Sequence, residues 1–468
     1  METAQDTRAA AAMPFLCETG DCRPCGQSLY SAIVKFAALT RARRALSLVR
    51  TELVTDLTPW DSLRTALPSR TGVPCFVWES PDGDSVAGLG VAAASWSRAG
   101  AGAGRFDEAK EFARGLLQDG VDGVTERDLR FVSGFAFDPT DCGPGLPNGA
   151  TWLPERTWIR ERGSPLAVVS WQRQAESEPL AVSPFDKPPA VPNSTTLARD
   201  WNTSEWDHAV KEALRRIGRG ELEKVVLARS CVIEQKHPWD PTIVFEALRV
   251  GYPESFRYFV DDGNGRVFLG ASPERLVSLR EGRIEADAVA GTARGEGDPI
   301  RDSCVAQALL SDPKERREHE IVVREILASL SGRSQGAQAP VEPSIEWYRH
   351  LLHLRTRIRA TALPGAHVLD LVSQLHPTPA VAGSPSEAAL EFLRAHEPRS
   401  RGWYAGPIGW MDGAGNGDFT VGLRSALLEG NRALLLAGAG IVLGSDPERE
   451  WKECEGKMGC LEDVLSRA

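Results

Sequence analysis

Several features are missing from this 468-residue chain, and each absence excludes a class of protein. No uninterrupted apolar run approaches the roughly 20 residues that a membrane helix needs, so we expect no membrane span. The N-terminus lacks the charged-then-apolar order of a signal peptide, which makes the cytoplasm the expected location. Aspartate and glutamate (64) outnumber lysine and arginine (54), and the net charge of −10 argues against a nucleic-acid partner.

A disulfide framework is also missing. The nine cysteines are scattered and odd in number, which favours reduced thiols. Cys17, Cys22 and Cys25 do cluster, but three cysteines without a fourth ligand nearby are a weak zinc signal. The alternative is a poorly ordered leader. We therefore interpret residues 1–26 as a leader outside the fold.

The chain does have the composition of a globular enzyme, with 42% apolar and 25% charged residues. Its length predicts either one large fold or a core with a smaller attachment. The proline-rich stretch Ser183–Ser194 is the strongest linker candidate, and it separates residues 27–194 from residues 195–468. Strand-like and helix-like segments occur in both parts, which predicts a mixed α+β chain.

Periodicity predicts individual elements in both parts of the chain. Apolar residues recur at helical spacing from Ser31 to Leu53, and again in helices at 106–118, 205–219 and 314–328. The strand Lys224–Cys231 follows the second of these helices, and Ser331–Ser344 is predicted to be an exposed loop. Further β-like runs are predicted at Val73–Glu79, Val86–Ala94, Leu129–Asp138 and Pro165–Gln172.

Two residues of the second part suit acid–base chemistry. Lys224 opens an apolar strand and shares one face with Val226 and Ala228. Such a lysine is commonly a surface residue, and the alternative is a desolvated amine that acts as a general base. Glu274 follows Gly270–Pro273 at a turn. A turn glutamate is usually solvated, but across a cleft from a base it can act as an acid.

Three glutamates suggest a metal site. The offsets of three and seven place Glu450, Glu453 and Lys457 on one helical face, which is also typical of a salt-bridged surface. Together with Glu318 from a distant helix, these carboxylates are the kind of all-oxygen ligands that magnesium prefers.

Candidate anion-binding groups lie close by in the sequence. The strand Leu436–Val442 contains Gly438, Ala439 and Gly440. Its glycines either permit a tight sheet crossing or let backbone N–H groups approach an anion. Arg424 offers the fork geometry that suits a carboxylate.

In this order, these residues resemble the chorismate-utilising enzymes, which include anthranilate, aminodeoxychorismate, isochorismate and salicylate synthases. The resemblance is close over Asp200–Leu465 and extends more loosely back to Leu53. The blocks Leu375–Gly383 and Trp403–Trp410 look like the isochorismate synthase form of family motifs. The resemblance implies a single large α+β domain with two stacked, mainly antiparallel sheets and helices outside. Residues 27–194 are then its less specific half and residues 195–468 its catalytic half.

Within this family, two positions separate the chemistries. Water-using members carry a lysine where this chain has Lys224, and aminodeoxychorismate synthases carry a nucleophilic lysine where it has Ala290, before Gly291-Thr292. The resemblance therefore implies a water nucleophile, no glutaminase partner, and an isochorismate synthase, which is an isomerase. A salicylate synthase, which also eliminates pyruvate, is the nearest alternative, and a non-catalytic chorismate-binding relative is a more distant one.

The resemblance also implies a role for each candidate residue. Lys224 deprotonates the water that attacks C2 of chorismate, and Glu274 protonates the departing C4 hydroxyl. Glu318 and Glu453 bind Mg2+, with Glu450 as an outer or additional ligand. The implied substrate contacts are Arg424, Tyr404, Gly438, Ala439, Gly440, Lys457, Gly291, Thr292 and His376. We expect a monomer or weak homo-oligomer, and the resemblance leaves open whether the product feeds menaquinone, a siderophore or salicylate.

Overall fold

One compact unit, which begins at residue 45, contains every residue that is described below. The computed structural model describes residues 46–53, 57–67, 72–97, 100, 102, 104–117, 125–140, 146–173 and 198–468. The leader predicted at 1–26 with its three cysteines, and the linker Ser183–Ser194, lie outside these ranges. None of the helices in these ranges is long and apolar enough to cross a membrane.

The described ranges contain nine α-helices and a short 3₁₀ helix, Glu126–Asp128. The α-helices are α1 (Pro59–Ala66), α2 (Gly104–Leu117), α3 (Thr203–Gly218), α4 (Pro241–Gly251), α5 (Pro299–Ser311), α6 (Pro313–Leu330), α7 (Val368–Leu375), α8 (Ser386–His396) and α9 (Pro447–Leu465). Asp312 begins α6 by accepting two backbone N–H groups of the first turn, and Asp446 does the same for α9. A proline follows each aspartate, where its missing N–H costs nothing.

The strands form two sheets in which every described pair is antiparallel. In chain order they are β1 (Leu46–Leu53), β2 (Cys75–Glu79), β3 (Ser85–Leu89), β4 (Ala93–Ser97), β5 (Arg130–Phe135), β6 (Gly149–Leu153), β7 (Arg156–Arg160), β8 (Leu166–Arg173), β9 (Ala198–Arg199), β10 (Lys224–Glu234), β11 (Phe256–Asp261), β12 (Arg266–Ser272), β13 (Arg275–Arg280), β14 (Arg283–Arg294), β15 (Ser334–Gln338), β16 (Ser344–Tyr348), β17 (Leu351–Ala362), β18 (Gly383–Ser384), β19 (Pro407–Asp412), β20 (Gly417–Val421), β21 (Ser425–Glu429) and β22 (Arg432–Ile441).

Both sheets take strands from both parts of the chain. The first sheet has the order β1-β8-β7-β3-β2-β11-β12-β21-β22-β10-β18, with β9 beside β10. The second has the order β15-β17-β14-β13-β20-β19-β5-β6-β4, with β16 beside β17. The pairs β2–β11 and β5–β19 join early strands to late ones. The expected α+β fold with two mainly antiparallel sheets is therefore confirmed.

The first sheet has a hydrophobic cluster on each face, and alternation along the strands assigns residues to one or the other. In β2, Phe76 and Trp78 join the aromatic core shared with the second sheet, whereas Cys75 and Val77 pack with the helices α1, α4 and α9. Gly134 of β5 leaves room for the Trp403 ring, because a Cβ at this position would overlap that ring. This contact fixes the chain where it enters the functional site.

The structure corrects three local predictions. Leu46–Leu53, the end of the stretch predicted to be helical, is the strand β1, because it forms a ladder with β8. The rest of that stretch lies outside the described ranges. The run Val86–Ala94 is split between the two sheets, since the chain turns at Gly90 with a φ of 76°. The predicted loop Ser331–Ser344 contains the strand β15, which pairs with β17. Periodicity within a segment does not show such pairing.

Candidate active site

Most of the predicted site residues line one cleft. β10, β14, β22, α6 and α9 each contribute to its wall. The predicted residues that line it are Glu274, Gly291, Thr292, Glu318, Tyr404, Arg424, Gly438, Gly440 and Lys457. Lys224, Ala439, Glu450 and Glu453 lie behind this lining, and His376 lies elsewhere.

Lys224 is a buried residue, not the surface lysine that is common at the start of a strand. Its side chain is 0% exposed, and its Nζ lies 3.0 Å from Oε1 of Glu318. Among the described residues, this ion pair with Glu318 is the contact that compensates the buried ammonium. Gly440 makes the pairing possible, because a Cβ there would overlap the Glu318 carboxylate and lie 3.0 Å from Cε of Lys224.

Ammonium groups keep Glu318 ionised. Burial favours its protonated form, but the charges of Lys224, Lys314 and Lys457 outweigh burial and lower the pKa of Glu318 to about 2. Lys457 extends this network, since its Nζ donates to Oε1 of Glu453 at 2.6 Å and to the carbonyl oxygen of Gly438 at 2.8 Å. The network therefore joins α6, α9 and β22.

Glu450 has a different cationic partner from Glu453, although both belong to α9. Its Oε1 lies 3.1 Å from Nζ of Lys314, and the residue is 2% exposed. Burial raises the pKa of Glu450 to about 7. The shared helical face that was predicted for Glu450, Glu453 and Lys457 thus divides into two ion pairs.

The carboxylates fit a magnesium site with two protein ligands. In the described ranges, no three Asp, Glu, His or Cys side chains converge into a ready-made metal group. Magnesium commonly takes only one or two carboxylates and completes its shell with water and substrate oxygens. Glu318 reaches the cleft, and Glu453 is joined to it through Lys457. These two glutamates have the required chemistry, whereas Glu450 is engaged by Lys314.

Glu274 presents a protonated carboxyl group to the cleft. The residue is 1% exposed, and its Oε1 has no hydrogen-bond partner among the described residues. Burial, reinforced by the charge of Asp287, raises the pKa of Glu274 to about 8. Its backbone is fixed, since its carbonyl oxygen accepts from Oγ1 of Thr420 at 2.6 Å. A buried carboxyl that is neutral at pH 7 can act as a proton donor.

His353 orients Arg424, and the sequence analysis missed this histidine. Nη2 of Arg424 donates to Nε2 of His353 at 2.9 Å, so Nδ1 carries the proton of the neutral ring. Nδ1 lies 3.2 Å from the carbonyl oxygen of Gly291 and 3.1 Å from Oγ1 of Thr292. Burial and the neighbouring guanidinium hold the pKa of His353 well below its usual value. The sequence feature that could have identified His353 is a histidine within an apolar strand.

A β-bulge turns the Gly291–Thr292 backbone toward the cleft. The pairing of β14 with β17 shifts between Ala290 and Thr292, and Gly291 has a φ of 82°. The N–H of Thr292 donates to Oε2 of Glu315 at 3.0 Å. Glu315 was also missed, because only the fold brings it beside this bulge.

The edge of β22 lines another part of the cleft. β21 pairs with β22 only as far as Leu435, whereas β10 pairs with its other edge to Ile441. Gly438 lies on the part of the strand beyond this pairing, and a Cβ there would lie 3.4 Å from the Tyr404 hydroxyl. Tyr404 is buried, which raises its pKa. Ala439 is fully buried and contributes backbone only.

His376 does not contact this cleft, which corrects the expectation that it lies beside the ligand. Its Nε2 lies 3.0 Å from the carbonyl oxygen of Phe137. The ring packs edge-on against Phe106 and Phe137. Burial lowers its pKa to about 3. The end of α7 is thus tied to the segment after β5, away from the cleft.

Comparisons with known proteins identify the family of this chain. The family model described as chorismate binding enzyme matches residues 35–466. The salicylate biosynthesis isochorismate synthase of Pseudomonas aeruginosa is 34% identical over 435 residues, which cover 87% of this chain and 86% of that protein. The isochorismate synthase MenF of Escherichia coli is 32% identical over 409 residues, covering 85% and 89%.

Solved structures show the same fold. The menaquinone-specific isochorismate synthase MenF of Escherichia coli superposes with a TM-score of 0.75 at 28% identity, covering 92% of this chain and 99% of that one. Component I of anthranilate synthase from Streptococcus pneumoniae has a TM-score of 0.62 at 20% identity, covering 89% of this chain and 92% of that one. This second likeness concerns the fold alone.

The neutral Glu274 carboxyl makes stability depend on pH. Its pKa is about 8 in the folded chain against an ordinary 4.5, so the folded protein keeps a proton that the unfolded chain loses. The stabilisation from this retained proton is complete below the ordinary pKa of 4.5, and it is lost as the pH rises through the folded-state pKa of about 8. Between these two pKa values, we therefore expect the free energy of unfolding of the wild type to fall relative to that of Glu274→Gln. The expected fall is up to about 1.4 kcal/mol per pH unit.

Urea unfolding of both proteins across this pH range measures the difference. Glu462→Gln, at an exposed position of α9, is the control and should follow the wild type. A difference between wild type and Glu274→Gln that stays constant with pH would contradict a buried, protonated Glu274.

Proposed function

The chain belongs to the chorismate binding enzyme family, and on that premise we propose that it is an isochorismate synthase. It converts chorismate to isochorismate by adding water at C2 with loss of the C4 hydroxyl. The observation that carries this proposal is a protonated Glu274 in the same cleft as Glu318, whose carboxylate is paired with Lys224. An exchange of one hydroxyl for another needs both an acid and a base.

The substrate is a dianion, and the cleft offers cationic and backbone groups to match it. Arg424 presents a fork of N–H donors whose direction is set by His353. Lys457 and the edge of β22 at Gly438 lie on the same cleft. These groups suit the pyruvyl carboxylate, and their fixed geometry orients the ring before reaction.

Lys224 is the proposed base. The ammonium that is paired with Glu318 must first release a proton. The free amine of Lys224 then takes a proton from the water that attacks C2, and a new C2–O bond forms while the ring double bonds shift. The C4–O bond breaks in the same reaction, and Glu274 gives its proton to the departing hydroxyl, which leaves as water. One water enters and one leaves, so the overall reaction is an isomerisation.

Magnesium is the proposed cofactor. Glu318 and Glu453 would hold the ion, which would neutralise and orient a substrate carboxylate. Burial favours the protonated form of Glu318, but the charges of Lys224, Lys314 and Lys457 lower its pKa to about 2, so this carboxylate is ionised at neutral pH.

The residue before the Gly291–Thr292 bulge favours water over an amine nucleophile. Ala290 occupies this position on the wall of the cleft, and its methyl group cannot form a covalent adduct with the ring. No imported ammonia is needed for hydration, so we propose that the enzyme acts on chorismate without a glutaminase subunit.

The products of the reaction test this proposal. We expect the purified protein to convert chorismate to isochorismate with magnesium present, and to lose this activity when the metal is chelated. Chromatography that separates isochorismate from salicylate and pyruvate measures both outcomes. Salicylate with an equal amount of pyruvate would show a salicylate synthase instead, and bound but unreacted chorismate would show a non-catalytic relative.

Replacing Lys224 tests the base. We expect Lys224→Gln to lower turnover by at least about 100-fold, because a neutral amide cannot accept the proton of water. Lys452→Gln is a matched control, since Lys452 lies on the exposed side of α9 and pairs with Glu448. Thermal unfolding confirms that both variants fold. A folded Lys224→Gln protein with near-normal turnover would contradict the assignment.

A further inference from the structure

Lys314 occupies the centre of the acidic cluster, and neither the resemblance nor the mechanism above uses it. Its Nζ lies 3.0 Å from Oε1 of Glu315, 3.1 Å from Oε1 of Glu450 and 3.7 Å from Oε2 of Glu318. The side chain is 13% exposed. One ammonium therefore contacts three carboxylates from two helices, in the position where a small cation would be attracted.

Because of Lys314, the two glutamates of α9 have different lysine partners. Glu450 is held by Lys314, whereas Glu453 is held by Lys457, four residues further along the same helix. Glu318 is shared, since one carboxylate oxygen faces Lys224 and the other faces Lys314. Glu450 is therefore paired with a different ammonium group from Glu453.

The charge balance depends on the same residue. The four glutamates of the cluster, at positions 315, 318, 450 and 453, face the ammonium groups of Lys224, Lys314 and Lys457. With every group ionised, the cluster carries one net negative charge. Without Lys314 it would carry two, and a third carboxylate would be free to bind a cation. Opposite charges at such distances, in a buried site, attract strongly.

We propose that Lys314 is an internal counter-ion that keeps Glu450 out of the metal shell and holds magnesium affinity low until substrate supplies the remaining oxygen ligands. This inference rests on the proposed magnesium dependence and deepens it. Lys314 is a positioning residue here, since it acts through Glu450 and Glu318. A weak two-carboxylate site would keep coordination positions open for water and substrate.

Magnesium titration of the substrate-free protein, followed by calorimetry, tests the proposal. We expect Lys314→Met to bind Mg2+ at least about tenfold more tightly than the wild type, the size of effect that groups next to a metal's ligands commonly have. Lys314→Arg keeps the charge and should stay within about threefold of the wild type. Unchanged or weaker binding by a folded Lys314→Met protein would overturn the proposal.

One further comparison keeps the test decisive if Lys314→Met does not fold, and a second one applies when it folds. In the wild-type background, Glu450→Gln should weaken Mg2+ binding by less than about tenfold, whereas Glu453→Gln should weaken it by more than about 100-fold. Equal losses would make Glu450 a ligand and overturn the proposal. In a folded Lys314→Met protein, adding Glu450→Gln should remove the gain in affinity, and a gain that persists would contradict the release of Glu450.

Measurements on the wild-type protein distinguish a failure of this inference from a failure of the proposed function. Chorismate turnover that is unaffected by chelation would refute the magnesium dependence, and the role of Lys314 with it. If the wild type requires magnesium and the Lys314→Met protein binds Mg2+ with unchanged affinity, only the role of Lys314 is refuted.

Discussion

The ion pair between Lys224 and Glu318 is the contact on which the functional site depends. It joins the first residue of β10 to the middle of α6, at a separation of 3.0 Å and with the lysine fully buried. Two charges this deep are tolerated only when each has a partner, because an isolated buried charge loses its hydration without compensation. The fold provides the space by placing Gly440 of β22 directly beside the pair. A base candidate and a metal-ligand candidate thus share one contact.

Further ionisable groups of the site lie on two sides of this pair. Toward α9, lysines and glutamates alternate, so that Lys314 and Lys457 each separate neighbouring carboxylates. Toward the turn after β12, Glu274 is buried, its Oε1 has no hydrogen-bond partner among the described residues, and burial keeps it protonated at neutral pH. Carboxyl groups with the same intrinsic chemistry therefore have opposite protonation states within one cleft, and this difference is what separates an acid from a metal ligand.

Local sequence patterns predicted the elements that carry the site, including the strand from Lys224, the helix around Glu318 and the helical face of Glu453. They could not decide between a surface and a buried lysine, because burial at Lys224 comes from α6 and β22, which are distant in sequence. His353 was missed for the same reason, since its partners lie on β14 and near β21. The strand β1 was taken for a helix because its ladder with β8 is invisible to local periodicity. Family resemblance supplied the two-sheet fold, but it placed His376 in the cleft, where the structure does not.

In the proposed mechanism, a water molecule activated in this cleft becomes the new hydroxyl at C2. Turnover of chorismate in water enriched in oxygen-18, followed by mass spectrometry and NMR of the product, tests it most directly. We expect isochorismate with a single heavy oxygen, located at C2. Isochorismate without the label would contradict it, because the original hydroxyl would then have moved within the molecule.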